Sequence, residues 1–168
     1  PLSKDLSELG VALTYMHLKR YDEATELLKK IEKSTQYNEV KYEAAYRLGD
    51  VRVLSNKYAE AIENYNKAQS RYPQAQNSFP GSFFNKSESE FWIGNYKKSL
   101  EDFREYIKRF PSDPHAPLAL TRIGENMEIL GADKSRTMGA YLESYFRFGE
   151  TPNAIIARIR MTAARMKS

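Results

Sequence analysis

The chain predicts an all-α array of helical hairpins, and three observations carry that expectation. The first is a repeat. The stretches "KYAEAIENYNKAQSRYP" (57–73) and "NYKKSLEDFREYIKRFP" (95–111) share few identities but one register. Tyr58 and Tyr96, Ala61 and Ser99, Tyr65 and Phe103, Ala68 and Tyr106, and Pro73 and Pro111 are all separated by the same interval. A fixed period of roughly 20–50 residues marks stacked structural units. The second observation is helical spacing. Residues 42–54 place Ala45, Leu48, the stem of Arg52, and Val51 or Leu54 at steps of three and four, and Tyr58, Ala61, Ile62, Tyr65 and Ala68 do the same. The third is punctuation. A polar "SNK" turn separates these two helices, and Pro73 ends the second, because proline cannot extend the hydrogen-bond ladder.

Within this unit the first helix carries Leu48–Gly49, and the second carries Tyr58, Ala61, Tyr65, Ala68 and a closing Pro73. In these residues the chain resembles the tetratricopeptide repeat (TPR) family. Arg52 departs from that pattern, where an aromatic is usual. The resemblance implies a right-handed superhelix of about four hairpins and a C-terminal capping helix, forming a single domain over residues 1–168. Gly49 and Ala61 would let the helices of a hairpin approach closely, with Tyr58 and Tyr65 filling the space beside them.

The units are expected at about 3–36, 40–73, 78–111 and 115–149. In the first, Tyr15, Tyr21, Ala24 and Leu28 fit, with Ala12 in place of the glycine. In the third, Gly94, Tyr96, Ser99, Phe103 and Pro111 fit, while Lys86–Ser87 replaces the Leu-Gly pair. There "FPGSFF" (79–84) reads as an inter-repeat turn and helix start. The fourth opens with Ile123–Gly124 and Gly131, and its second helix, about 134–147, is degenerate. A terminal helix follows over 152–166, with Thr151 as N-cap and Pro152 in its first turn. Its stripe of Ile155, Ile156, Ile159, Ala163 and Met166 is expected to lie against the hairpin at about 117–147.

Composition narrows the function. The chain has 168 residues and no cysteine, so disulfides and thiolate chemistry are excluded. The net charge of +4 comes wholly from Arg158, Arg160, Arg165 and Lys167, and residues 1–150 balance to zero. A nucleic-acid partner is therefore not expected. These four cations read as the wet side of the terminal helix or as a tether to an anionic surface, lipid or nucleic acid. His17 and His115 lie in different repeats without metal-site spacing, and no nucleophile elbow, P-loop or dinucleotide pattern occurs. No enzyme activity, cofactor, metal or small-molecule substrate is expected. The start at Pro1 reads as a piece of a longer protein, which leaves a helper domain of a larger enzyme as an alternative.

What the resemblance implies is a non-catalytic scaffold that binds a protein segment along the first helices of its hairpins. The groove-facing positions in that register are Leu9, Leu13 and Met16, then Tyr46, Asp50 and Val53, then Phe84, Glu88 and Phe91, then Thr121, Glu125 and Glu128. Asp50, Glu88 and Glu125 are equivalent. As a solvent-facing acidic row beside Tyr46, Phe84 and Phe91 they would favour a basic segment with apolar anchors. They would also repel an acidic C-terminal peptide of the kind some members clamp. The plainer alternative is that they are ordinary solvated helix acids. Residues 109–131 are similar to bacterial envelope members, the Tol–Pal-associated and outer-membrane-assembly accessory proteins. That similarity points to a bacterial multiprotein assembly in the periplasm or cell envelope. Membrane contact is left open.

Overall fold

A computed structural model describes residues 1–167. Among them are nine α-helices and no strand. They are α1 (Leu2–His17), α2 (Tyr21–Ser34), α3 (Asn38–Leu54), α4 (Tyr58–Arg71), α5 (Pro80–Trp92), α6 (Tyr96–Arg109), α7 (Ala116–Ile129), α8 (Lys134–Phe148) and α9 (Pro152–Met166). A short 3₁₀ turn, Pro73–Ala75, follows α4. The chain divides into two compact units, Pro1–Ile93 and the part from Gly94 onward. No described helix is long and apolar enough to cross a membrane.

The repeat is written in the backbone as well as in the side chains. Lys19, Asn56, Gly94 and Gly131 have positive φ, each in the turn that follows a first helix. They recur at the interval of the repeat. Three of these turns close alike. The amides of Lys19 and Arg20 donate to Met16 and Tyr15, those of Asn56 and Lys57 to Val53 and Arg52, and those of Gly131 and Ala132 to Glu128 and Met127. These paired bonds satisfy carbonyls that a helix end leaves open, and the left-handed residue makes them possible. Lysine in that conformation is unusual, since its Cβ is strained there.

In the first unit, α3 is buried on two sides. Val40, Ala44, Leu48 and Val51 join Leu9, Ala12, Ala24, Leu28 and Ile31 of the first hairpin in one cluster. Ala45 and Tyr46, on the other flank, pack with Ala61, Tyr65, Ala68 and Ala75. A helix sandwiched in this way loses the one-sided polarity of a surface helix. Fully burying a leucine such as Leu28 stabilises by about 1.5–3 kcal/mol.

Glycine sets the distance inside a hairpin. A Cβ at Gly49 would come within 2.3 Å of the Tyr65 ring, and one at Gly124 within 2.3 Å of the Tyr141 ring, closer than carbon atoms can pack. Where the first hairpin has Ala12, the matching residue is the smaller Leu28, and both lie in the same buried cluster.

In the second unit, the Tyr106 hydroxyl donates to Asp113, which also accepts from the His115 amide at 3.0 Å. Asn126 donates to Ser99 at 3.0 Å. Thr151 caps α9, accepting from the Ala154 amide at 3.2 Å. The seating of α9 corrects the sequence expectation. Ala154, Ala157 and Met161 are its buried residues, and Ala157 and Met161 cluster with Tyr141. Ile155, Ile156, Ile159 and Met166 point outward. Two apolar stripes compete on this helix, and the one with small alanines allows the closer approach.

Candidate partner-binding groove

A groove of about 520 Å³ opens in the first unit along its first helices. Leu13 and Met16 of α1 line it, with His17 and Lys19 from the end of that helix and the turn beyond. Tyr21 of α2, Arg47, Asp50, Val53 and Leu54 of α3 and Asn85 of α5 complete the wall. Of the residues expected to face a groove, the structure therefore brings together Leu13, Met16, Asp50 and Val53.

Asp50 does not lie there as an open charge. It is 6 % exposed and accepts four hydrogen bonds. Tyr65 Oη and Asn85 Nδ2 reach Oδ1 at 2.5 and 3.0 Å, while Arg47 Nη1 and Ser82 Oγ reach Oδ2 at 3.0 and 3.1 Å. These bonds fix α3 to α4 and α5, and a buried carboxylate needs them because it has lost its water. Burial, together with the Asp50 charge, pushes the Tyr65 phenol well above its ordinary range. Burial works against the Arg47 charge, but the Asp50 and Glu43 carboxylates outweigh it and raise its pKa.

The expected acidic row is thus corrected. Glu88 is buried and accepts from the Trp92 indole at 2.9 Å. Glu125 is 5 % exposed, held by Arg122 at 2.5 Å and by Arg160 of α9 at 2.6 Å. Glu128 alone of the named groove acids is exposed. Repulsion of an acidic ligand by Asp50 and Glu125 loses its basis, since each carboxylate is paired with arginine. Tyr46 and Phe84, expected as exposed anchors, are buried, with Tyr46 stacked on Phe79 at 4.9 Å. Phe91 is half-buried and meets Trp92 edge-on. Thr121 is buried and donates to the carbonyls of Pro117 and Asn153.

The repeat positions fall as follows. Ala61, Tyr65 and Ala68 are buried. Tyr58 and Tyr96 open α4 and α6. Tyr58 stacks on Trp92 at 6.2 Å and donates to Asn56 at 3.0 Å. Pro73 begins the 3₁₀ turn, Pro111 stands just past α6, and Gly94 takes φ +83°. Sequence reasoning passed over Arg47, Ser82 and Asn85. A signal existed for the first, because Arg47, Arg122 and Arg160 recur in register with the repeat.

Residues 12–76 match the family model described as the tetratricopeptide repeat. Over those residues the chain is similar to that family. The fold is similar to that of a tetratricopeptide repeat protein from Parabacteroides merdae (TM-score 0.76, 16% identity, 98% of this chain and 61% of that one). It is also similar to a Podosopora anserina structure of nearly identical TPR-like repeats (TM-score 0.74, 13% identity, 98% and 88%). A third likeness is to Bacillus thuringiensis PlcR, solved with the peptide PapR7 and DNA (TM-score 0.70, 14% identity, 97% and 59%). No curated protein matches this chain. At these identities the likenesses show the fold, which is the TPR-like helical class expected, and that fold generally serves as a protein–protein interaction scaffold.

Proposed function

We propose that this chain is a non-catalytic adaptor that holds an extended segment of a partner protein in the groove of its first unit. The observation that carries the reading is the lining of that groove. Leu13, Met16, Val53 and Leu54 offer apolar anchor sites, and His17 and Lys19 offer donors beside them. Apolar pockets fixed by a few polar groups are what small recognition sites use. The basic ligand expected from an acidic row finds little support, because Asp50 and Glu125 are consumed by internal bonds. A segment with aliphatic anchors and carboxylate or carbonyl acceptors fits the exposed groups better. That PlcR was solved with a peptide supports peptide binding by this fold class. The similarity of residues 109–131 to bacterial envelope proteins supports a bacterial multiprotein assembly as the setting.

The test is a selection of peptides from a displayed library against the chain, followed by affinity measurement with Met16→Ala and Lys19→Glu. Both side chains are at least partly open to solvent, so the variants should stay folded. Affinity for the selected peptides should fall about tenfold or more, as loss of an anchor of about 1.4 kcal/mol implies. Unchanged affinity in both would place the site elsewhere.

A further inference from the structure

We propose that the second unit carries a docking groove of its own, for a partner segment that sets a carboxylate beside a bulky apolar side chain. The groove measures about 390 Å³ and lies between α6 and α8. Leu120, Ile123 and Met127 of α7 form its base, with Ile107 of α6 and Ala140 of α8 beside them. Arg104 and Arg136 stand on its two walls, and both are exposed. Neither makes an ion pair among the described residues. Arg104 Nη2 rests instead on the Met127 sulfur at 3.8 Å. The terminal helix α9 packs on Met138, Tyr141 and Leu142, the other face of α8, so helices stacked beyond it would lie away from this groove.

The repeat shows what this groove lacks. With Tyr21 aligned to Tyr96, Gly49 to Gly124 and Tyr65 to Tyr141, the first-unit counterparts of Ile107, Met127, Arg136 and Arg147 are Glu32, Arg52, Glu60 and Arg71. There Glu32 of α2 pairs with Arg71 of α4 at 3.0 Å, and Arg52 of α3 with Glu60 of α4 at 3.2 Å. Two ion pairs thus strap α4 to its neighbours. In the second unit Ile107 and Met127 leave one half of each strap apolar, and Arg147 turns to Glu143 of its own helix at 3.0 Å. Arg136 stands where Glu60 supplied an acid. A carboxylate from outside, accepting from Arg104 and Arg136, restores the missing charge, and charge-assisted bonds of this kind are stronger than neutral ones. The apolar base beside them takes the anchor. A second copy joined through this face would oppose arginine to arginine. A small amphiphile fits less well, because both walls are open to solvent and ligand pockets enclose most of what they bind.

The site is independent of the groove in the first unit, and the test keeps the two apart. Random peptides displayed on phage are selected against the full chain carrying Met16→Ala and Lys19→Glu, which weakens the first groove. The recovered peptides are then titrated into that same chain and followed by fluorescence anisotropy. They should share an acidic residue next to a bulky aliphatic or aromatic one. Adding Arg104→Gln or Arg136→Glu, both at exposed positions, should weaken them about tenfold or more. Recovery of no peptide, recovery of peptides without an acid, or unchanged affinity in either arginine variant overturns the proposal. Two further arms do the same. A dimer in sedimentation that Arg136→Glu dissolves would make the occupant a second copy. Displacement of the peptides by an equal concentration of decanoate would make it a small anionic amphiphile.

Discussion

Asp50 and Glu125 occupy the same place in two different repeats, yet they are held by different groups. Each bonds a donor on the first helix of the following unit, Asn85 of α5 for Asp50 and Arg160 of α9 for Glu125. Each therefore ties its own hairpin to the next first helix. Around Asp50 the partners include Tyr65 and Ser82, both fully buried. Around Glu125 they are two guanidiniums, and the Arg160 side chain is 43 % exposed. The cost of removing a buried carboxylate depends on whether the groups left behind can regain water.

The largest test of this difference is truncation of both acids. Asp50→Ala strands Tyr65, Ser82 and Arg47 and should cost about 3–5 kcal/mol. Glu125→Ala takes one partner from Arg122 and lets the half-exposed Arg160 turn to solvent, and should cost less, about 1–2 kcal/mol. Urea denaturation checks both, with the chain's single tryptophan, Trp92, reporting on the first unit. Equal losses would show that the position, and not its partners, sets the cost.

Next in size is the glycine contact that the two units share. Gly49→Ala and Gly124→Ala each drive a methyl into a buried tyrosine ring, and overpacking of this kind costs about 1–3 kcal/mol. Tyr65→Leu should relieve Gly49→Ala, as the Ala12 and Leu28 pair suggests. A double-mutant cycle on denaturation midpoints checks it, and strictly additive losses would remove the ring from the account.

The two tyrosines themselves should then separate. Tyr65→Phe deprives Asp50 of a charge-assisted bond and should cost about 1.5–3 kcal/mol. The Tyr141 hydroxyl closes no hydrogen bond of normal geometry among the described residues, with Glu128 acting on it only weakly, so Tyr141→Phe should change stability by less than about 0.5 kcal/mol. Thermal melts of the two variants decide the matter.

The smallest effect is in alkali. The phenol of Tyr65 is raised by burial and the Asp50 charge, so the folded state keeps its proton where the unfolded chain, at about 10, releases it. Its contribution is complete below about pH 10 and falls as the pH rises beyond that. Tyr65→Phe should flatten part of this loss in melts taken between about pH 8 and pH 11. An unaltered slope would mean that other tyrosines carry it.

The sequence by itself determined the period, the two helices of each hairpin and where they stop. Those features are local: a proline ends a ladder, apolar steps of three and four fix which residues share a face, and the repeat aligns one unit with another. It also marked Gly49 and Ala61 as places of close approach, and the structure added Gly124. Only the tertiary structure decided that Asp50, Glu88 and Glu125 face inward. A helix inside an array is covered on two flanks, so a polar residue at helical spacing lies on a buried flank when distant donors meet it, as Asn85 meets Asp50. The structure likewise decided which stripe of α9 is covered. Ala154, Ala157 and Met161 form one apolar face and Ile155, Ile159 and Met166 another, and periodicity allows either. The alanine face is buried because helix axes come nearest where side chains are smallest, and that choice leaves the isoleucines outside.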